Sequence, residues 1–304
     1  MNLFLISNPS AGGGRTAQAR PEVEAALRTV DPTLVSAVTA SMSDADGLTE
    51  RGLAAGRVIC ALGGDGLIGR VAGGVAAGGG VFAPLPGGRG NDFCRGIGLP
   101  DDPVAVARDL PNLVERPLDI AAANGRPYLG IASLGIDSVV QSIANKTKIV
   151  RGGAVYSYAA LKGMLLWRHA HFTVDVDGAR RDVHGWSVAV ANNQYYGGGM
   201  KFAPGADMED GELEVMLVGK SSKLTFLMMF PKVFKGEHVP APMITTLRGS
   251  KVRIDSDRPF SVYADGEELT SLPCEITITP GGLRVLAPKG GGPALKPLAE
   301  QEQL

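Results

Sequence analysis

Apolar and polar positions follow two different rhythms along this chain of 304 residues, and the change comes near residue 120. Before it, short apolar runs at 3–6, 34–38, 58–62 and 81–85 read as strands, separated by stretches of helical spacing. Val23, Ala26, Leu27 and Val30 share one face of a helix predicted over 22–30. Further helices are predicted over 44–54, with Asp44 as N-cap, and over 67–77. Strands alternating with helices of this length predict βαβ units around a parallel sheet.

After Ile120 the runs at 129–134, 172–176, 186–191, 213–218, 252–254, 260–263, 275–278 and 283–286 read as strands, many followed by Gly, Asp or Asn. Val176-Asp177-Gly178-Ala179 has the form of a tight hairpin turn. Two helices, over 155–167 and 224–234, interrupt the strands, and their apolar faces are assigned to the core rather than to a membrane surface. The expected fold class is therefore α/β: a parallel-sheet domain over 1–118, an antiparallel β-rich domain over 119–288 and a flexible tail over 289–304.

Composition narrows the functions open to such a chain. A net charge of −1 gives no electrostatic footprint for nucleic acid. Hydrophobic content of 44% supplies a sizeable core. The three cysteines, Cys60, Cys94 and Cys274, are odd in number and widely spaced, which suits a reducing compartment. The opening residues have no basic stretch and too short an apolar run for a signal peptide, and no segment offers about 18 consecutive apolar residues. A cytoplasmic location is expected.

Chemistry concentrates in glycine-rich segments that follow predicted strands. Residues 8–14, 63–66 and 86–90 all lie beyond strand C-termini, where open parallel sheets bind ligands. Glycines let the backbone approach phosphate oxygens, and a helix N-terminus adds amide donors. Asp65 between Gly64 and Gly66 places a carboxylate where a Mg²⁺-nucleotide needs one. In Gly88-Arg89-Gly90-Asn91-Asp92, Arg89 offers a guanidinium fork to phosphate, while Asn91 and Asp92 can organise water or brace the next loop. Asp265-Gly266-Glu267 places two carboxylates around a turn, either of which can supply a general base. Cys94 reads as a small buried side chain, with an oxidation-sensitive thiol as the alternative.

Four motifs in this order, Asn8-Pro9-Ser10-Ala11-Gly12, Gly63-Gly64-Asp65-Gly66, Gly90-Asn91-Asp92-Phe93 and Asp265-Gly266-Glu267, resemble the diacylglycerol kinase catalytic domain family, with its bacterial lipid kinases, sphingosine kinases and ceramide kinases. The resemblance spans nearly the whole chain. It implies a Rossmann-like nucleotide-binding domain, a β-rich lipid-binding domain, ATP and Mg²⁺ as cofactors, and transfer of the γ-phosphate to the primary hydroxyl of a membrane lipid such as diacylglycerol. Carried over by position, Asn8, Pro9, Ser10, Ala11, Gly12 and Thr39 would line the nucleotide pocket. Gly63, Gly64, Asp65, Gly66, Leu67, Ile68 and Gly69 would wrap the phosphates, with Arg89, Asn91 and Asp92 beside them, and Asp65 would help hold the catalytic Mg²⁺. Asp265 or Glu267 would take the proton from the lipid. The acidic segment 204–213 resembles a structural Mg²⁺ loop, with Asp210 as side-chain ligand and Asp207 and Glu212 contributing mainly carbonyls. Peripheral contact with the inner face of the membrane is implied, and a homodimer is compatible with the pattern.

Leu67 stands where many bacterial members have Thr, a departure that leans toward the sphingolipid side; ceramide and sphingoid bases are therefore alternative acceptors. Arg89 replaces a small hydroxyl residue, and Gly69-Arg70 replaces a frequent Asn-Glu pair. These departures keep a catalytically impaired binding protein open, and the shared Gly-Gly-Asp-Gly loop keeps an NAD kinase open.

Overall fold

The computed structural model describes residues 1–146 and 154–290, with side chains outside 144–157, and divides into two compact units. One holds residues 1–118, 197–199 and the chain from 282 onward; the other holds 119–196 and 200–281. The residues of the expected tail from 291 on lie outside those described.

In the first unit, β1 (Leu3–Ser7), β2 (Val35–Val38), β3 (Val58–Gly63) and β4 (Val81–Pro86) alternate with α1 (Arg15–Val30), α2 (Met42–Ala54) and α3 (Asp65–Gly78). The strands are parallel in the order β2-β1-β3-β4, and the end of the chain's last strand adds a further parallel neighbour through Arg284 and Val285. β1 and most of β3 and β4 are buried residue after residue, the burial expected when helices cover both faces of a parallel sheet. The chain leaves β1 toward β2 on one side and returns to β3 on the other, so the strand order reverses between β1 and β3. Ligands bind at such a crevice, beyond the strand C-termini.

Local chemistry shifts several predicted boundaries. Ser41, not Asp44, caps α2: its hydroxyl accepts from the Asp44 amide at 3.1 Å, and Asp44 is a first-turn residue. α1 begins at Arg15, seven residues earlier than predicted, because Gly14 at φ 98° turns the chain directly into it. α3 begins at Asp65, so the acidic residue opens the helix rather than preceding it. α4 (Asp92–Gly96) and α5 (Pro103–Asp109) complete the helices, the latter capped by Asp102.

The second unit is built on the later part of β5 (Val114–Ala123), on β6 (Arg126–Tyr128), β7 (Ile131–Gly135), β8 (Ala170–Val176), β9 (Ala179–Ala191), β10 (Tyr195–Tyr196), β11 (Met200–Lys201), β12 (Leu213–Gly219), β13 (Ile244–Gly249), β14 (Lys251–Ser256), β15 (Ser261–Ala264) and β16 (Glu267–Ser271), and on the first part of β17 (Cys274–Ala287). Antiparallel pairs run β16-β15-β7-β9-β8-β14-β17, with β12 also on β9 and β13 on β12. The two runs predicted at 275–278 and 283–286 are one strand, β17, whose first part pairs with β14. β8 and β14 alternate buried and exposed positions and send Phe172, Val174, Val252 and Ile254 into a core around Trp186. The turn at Asp177-Gly178 has φ 50° and 88°, the positive-φ pair a two-residue hairpin requires.

α6 (Ile136–Lys146), α7 (Ala154–Leu166) and α8 (Lys223–Val233) accompany these strands. Here the structure departs from the expectation of core helices. α8 buries no residue, and Leu161, Leu165, Leu166, Leu227, Met228 and Phe230 are all exposed. Among the described residues, no helix is long and apolar enough to cross a membrane.

Candidate active site

Three glycine-rich loops meet at the C-termini of β1, β3 and β4. The Asn8 amide donates to the Leu62 carbonyl at 3.1 Å, and the Gly87 amide to the Gly63 carbonyl at 2.8 Å. Thr16 Oγ1 donates to the Gly87 carbonyl at 3.1 Å, and Arg15 to the Gly88 carbonyl at 3.2 Å. Gly12 sits at φ 63°, and a Cβ there would lie 2.4 Å from the Gly87 oxygen. A Cβ on Gly88 would lie 2.6 Å from the Gly64 Cα. Gly12 and Gly88 leave no room for a Cβ, so backbone packs directly on backbone where these loops meet.

Asp65 fastens two of the loops. Its Oδ2 accepts from the Asn91 amide at 2.9 Å and its Oδ1 from the Asp92 amide at 2.8 Å, with Phe93 at 3.5 Å. Burial pushes the carboxyl above the usual aspartate range, against the pull of those amides. Asp92 in turn accepts from Gly198 at 2.8 Å and Gly199 at 2.7 Å, and from Arg95 at 3.0 Å. Its carboxyl is also pushed up, by burial first, with the Asp65 charge adding to it. Two half-buried carboxylates, one of them pushed up in part by the other's charge, form a donor set suited to a hard cation. Asn91 turns its side chain inward, Oδ1 accepting from the Gly88 amide at 2.9 Å.

The remaining predicted nucleotide-side residues fall into distinct environments. Asn8 Oδ1 accepts from the Ser10 amide at 3.0 Å and closes the turn that carries Pro9, Ser10 and Ala11. Thr39 is buried, with its amide on the Ser7 carbonyl and its hydroxyl on the Ser41 carbonyl. Leu67, Ile68 and Gly69 are buried; the Leu67 side chain packs so closely that a Cβ on Gly63 would lie 2.7 Å from it. Leu67 therefore belongs to the core, and only its amide, ahead of the first bond within α3 at Ile68, is placed to donate outward. Arg89 is exposed, with its guanidinium beside Gly13. Arg70 makes a bidentate pair with Asp46 of α2. Cys94 is buried, and burial pushes its thiol well above the ordinary range, the setting of a packing residue.

In the second unit, Asp265 and Gly266 take φ 51° and 84° at the β15–β16 turn. Both Asp265 oxygens are held by backbone: Oδ2 accepts from the Leu129 amide at 2.8 Å and Oδ1 from the Gly130 amide at 2.9 Å. A Cβ on Gly130 would lie 2.7 Å from Asp265 Oδ1, so glycine is needed there. Glu267 follows at the start of β16, half-exposed, beside Glu268, which accepts from Ser261 at 2.7 Å and Tyr263 at 2.9 Å. Glu268 also lines a cavity of about 650 Å³ with Trp167, Phe260 and Ile143. That cavity draws Leu166 and Trp167 from the stretch at 155–167 and nothing from 224–234.

In the acidic loop, Asp207 accepts from the Glu209 amide, Asp210 from the Glu212 amide, and Arg248 pairs with both Asp210 and Glu212. No group of three His, Cys, Asp or Glu converges as a metal-ligand set among the described residues. The surroundings nonetheless suit a cation. Glu214 Oε2 is buried without a partner, and burial, followed in smaller part by the Asp210 charge, pushes its carboxyl up against the pull of nearby amides and Arg248.

Sequence reasoning passed over three groups. Asp119 pins this loop by accepting from Gly211 at 2.7 Å and Gly281 at 2.8 Å; its signal is an acid inside an apolar strand. Gly198 and Gly199 serve Asp92 and were visible only as a glycine run. Asp137, in the first turn of α6, has its carboxyl pushed up to about 7 by burial. Its one signal was an acid directly after Gly135-Ile136.

Comparison with known proteins matches this layout. The Diacylglycerol kinase catalytic domain model covers residues 2–123, and the YegS C-terminal NAD kinase beta sandwich-like domain covers 130–287. A diacylglycerol kinase of Mycobacterium tuberculosis is 31% identical over 94% of this chain and 95% of its own. A Pseudomonas aeruginosa protein named "Probable lipid kinase YegS-like" is 30% identical over 88% of both. A crystal structure of a diacylglycerol kinase from Bacillus anthracis str. Sterne shares the fold, with a TM-score of 0.76 at 23% identity over 94% of this chain and 96% of that one. With both family models matching in order and a relative similar along nearly its whole length, the chain belongs to the diacylglycerol kinase catalytic domain family and is a lipid kinase.

Proposed function

We propose that this lipid kinase transfers the γ-phosphate of ATP to the primary hydroxyl of diacylglycerol, with Glu267 as the general base. The observation that carries the reading is the contrast within the Asp-Gly-Glu turn. Asp265 has both oxygens on backbone amides, whereas the Glu267 carboxylate, on a residue paired only through backbone with Ala264, makes no hydrogen bond or ion pair among the described residues. A base must reach the substrate hydroxyl, and two amides already fix both Asp265 oxygens toward the backbone. Asp265 then holds the turn that presents Glu267.

Phosphoryl transfer depends mainly on positioning and neutralised charge. The amides of loops 8–14, 63–67 and 86–90 would cradle the phosphates, and Arg89 would add a charged contact from the rim. Asp65 and Asp92 would hold Mg²⁺, which when bound neutralises charge on the transferring phosphoryl group. With Asp65 already accepting amides, it fits the ion best through water. Glu267 would take the hydroxyl proton as the lipid oxygen bonds to the γ-phosphorus and the bond to ADP breaks. The Asp207–Glu212 loop would hold a second, structural cation once Arg248 moves off Asp210.

Diacylglycerol is favoured as acceptor because the Mycobacterium tuberculosis relative carries that activity in its name. The lean toward sphingolipids rested on Leu67, whose side chain packs into the core and says nothing about the acceptor. The cavity of about 650 Å³ beside Glu268, lined by Trp167, Phe260 and Ile143 together with Arg168, Arg258 and Tyr263, falls within the size range of ligand sites. The test is Mg²⁺-dependent ³²P transfer from ATP to diacylglycerol, ceramide and sphingosine in mixed micelles. Diacylglycerol should be labelled at least about tenfold faster than the others, a transition-state preference that buried acceptor contacts readily supply. Faster labelling of ceramide or sphingosine would overturn the acceptor.

A further inference from the structure

Nine of the thirteen large apolar side chains exposed among the described residues lie on α7, on α8 or on Phe234 just beyond it. α7 is apolar around most of its girth. It turns Ala159 and Gly163 inward, Gly163 against Val140, and leaves Leu161, Leu165 and Leu166 outside. A helix apolar on both faces needs a second apolar neighbour. α8 touches the core through Phe226, stacked on Trp186 at 4.1 Å, and leaves Leu227, Met228 and Phe230 outside at 50–63% exposure. Lys223, at the start of α8, donates to the Leu165 carbonyl at the end of α7, so the two sets are neighbours within the second unit.

Charge separates the candidates for the missing neighbour. Lys162, Lys220, Lys223, Lys232, Lys235 and Arg168 are all exposed along these segments, and residues 158–168 and 220–236 contain no Asp or Glu. The chain as a whole carries −1, so this face is a local concentration of cations on a near-neutral protein. A second copy docking face to face would set these cations against their own equivalents, since a two-fold interface is self-complementary. A surface that is apolar in the middle and anionic around it satisfies both features. Lysines beside apolar side chains are how interfacial helices settle at anionic headgroups.

We propose that the α7–α8 face is the surface by which this kinase docks on an anionic lipid bilayer, Leu227, Met228 and Phe230 entering the interface and the lysines meeting lipid phosphates. The inference rests on the lipid-kinase assignment only for the need to reach a membrane, and not on which lipid is phosphorylated.

The test is sedimentation with vesicles of phosphatidylcholine, with and without phosphatidylglycerol, for the wild type, Leu227→Ser/Met228→Ser and Lys232→Ala/Lys235→Ala. The wild type should bind the anionic vesicles at least about tenfold more tightly than the neutral ones, and the preference should fade with salt. Removing the two lysines should weaken anionic binding about 10- to 30-fold. The double serine variant should weaken binding to both kinds of vesicle. A Phe230→Trp variant should show a blue-shifted emission with anionic vesicles, a readout independent of the losses above. Both double variants should melt with the wild type and keep its phosphotransfer rate toward lipid dispersed in detergent. Equal binding by all proteins, or a dimer in light scattering that both double variants abolish, would overturn the proposal. Loss of phosphotransfer in detergent by the wild type would count against the kinase chemistry instead, and leave the vesicle result standing.

Discussion

Two Asp-Gly pairs, Asp65-Gly66 in the first unit and Asp265-Gly266 in the second, do the same local work in opposite settings. Each aspartate gathers backbone amides: Asp65 those of Asn91 and Asp92, Asp265 those of Leu129 and Gly130. Asp65 opens a 14-residue helix among loops where a Cβ on Gly12 or Gly88 would collide with backbone. Asp265 sits in a left-handed hairpin turn, and the group it presents is the next carboxylate, Glu267. One region is a cradle of backbone in which Gly12 and Gly88 tolerate no added carbon. The other is a bracket for a single side chain.

If that contrast holds, the cradle fails by crowding. Gly12→Val puts branched carbon into a site where even a Cβ would lie 2.4 Å from the Gly87 oxygen, at φ 63°. We expect kcat/KM for ATP to fall at least about 100-fold, the scale of a 1 Å misplacement, with the KM for lipid unchanged. A parallel loss of lipid affinity would break the separation.

The bracket fails by loss of acceptors. Asp265→Ala leaves the Leu129 and Gly130 amides without their carboxylate, and thermal unfolding should show a loss of about 2 kcal/mol. An unchanged melting temperature would show that Asp265 does not hold the turn.

A smaller effect concerns Asp137. Its folded-state carboxyl, at about 7, lies above the unfolded value of 3.8, so between these the folded state binds more protons. Stability is therefore greatest below pH 4 for this group and declines as pH rises toward 7. Relative to Asp137→Asn, the wild type should lose about 1–3 kcal/mol between pH 4 and 7 in denaturant titrations. Parallel pH profiles would contradict the burial of that charge.

The cradle was the more legible of the two regions. The glycines at 12, 63, 64, 66, 87, 88 and 90 announce turns after apolar runs, and at Gly12, Gly63, Gly87, Gly88 and Gly90 a Cβ would crowd a neighbouring atom. The alternation of strands and helices likewise indicated the parallel sheet, although the cap moved from Asp44 to Ser41 once its hydroxyl found an amide. Side-chain partnerships were not legible. Nothing in the spacing of Asp119 tells that it reaches Gly211 and Gly281, 92 and 162 residues away. Periodicity also failed for α7 and α8, since it shows that a helix is apolar without showing which side is covered. Leu67 marks the same limit: its place after Asp65-Gly66 suggested phosphate contact, but its side chain fills the space left by the missing Cβ of Gly63.

The division of labour at the Asp-Gly-Glu turn is the centre of this account, and single-turnover phosphotransfer to diacylglycerol by Glu267→Gln beside Asp265→Asn tests it most directly. Glu267→Gln should lose about 10²- to 10⁴-fold in the chemical step, with ATP affinity and melting temperature unchanged. Asp265→Asn should melt earlier and keep most of the rate in its folded fraction. A Glu267→Gln enzyme near wild-type speed, beside a folded Asp265→Asn enzyme with none, would give the base to Asp265 and contradict the account.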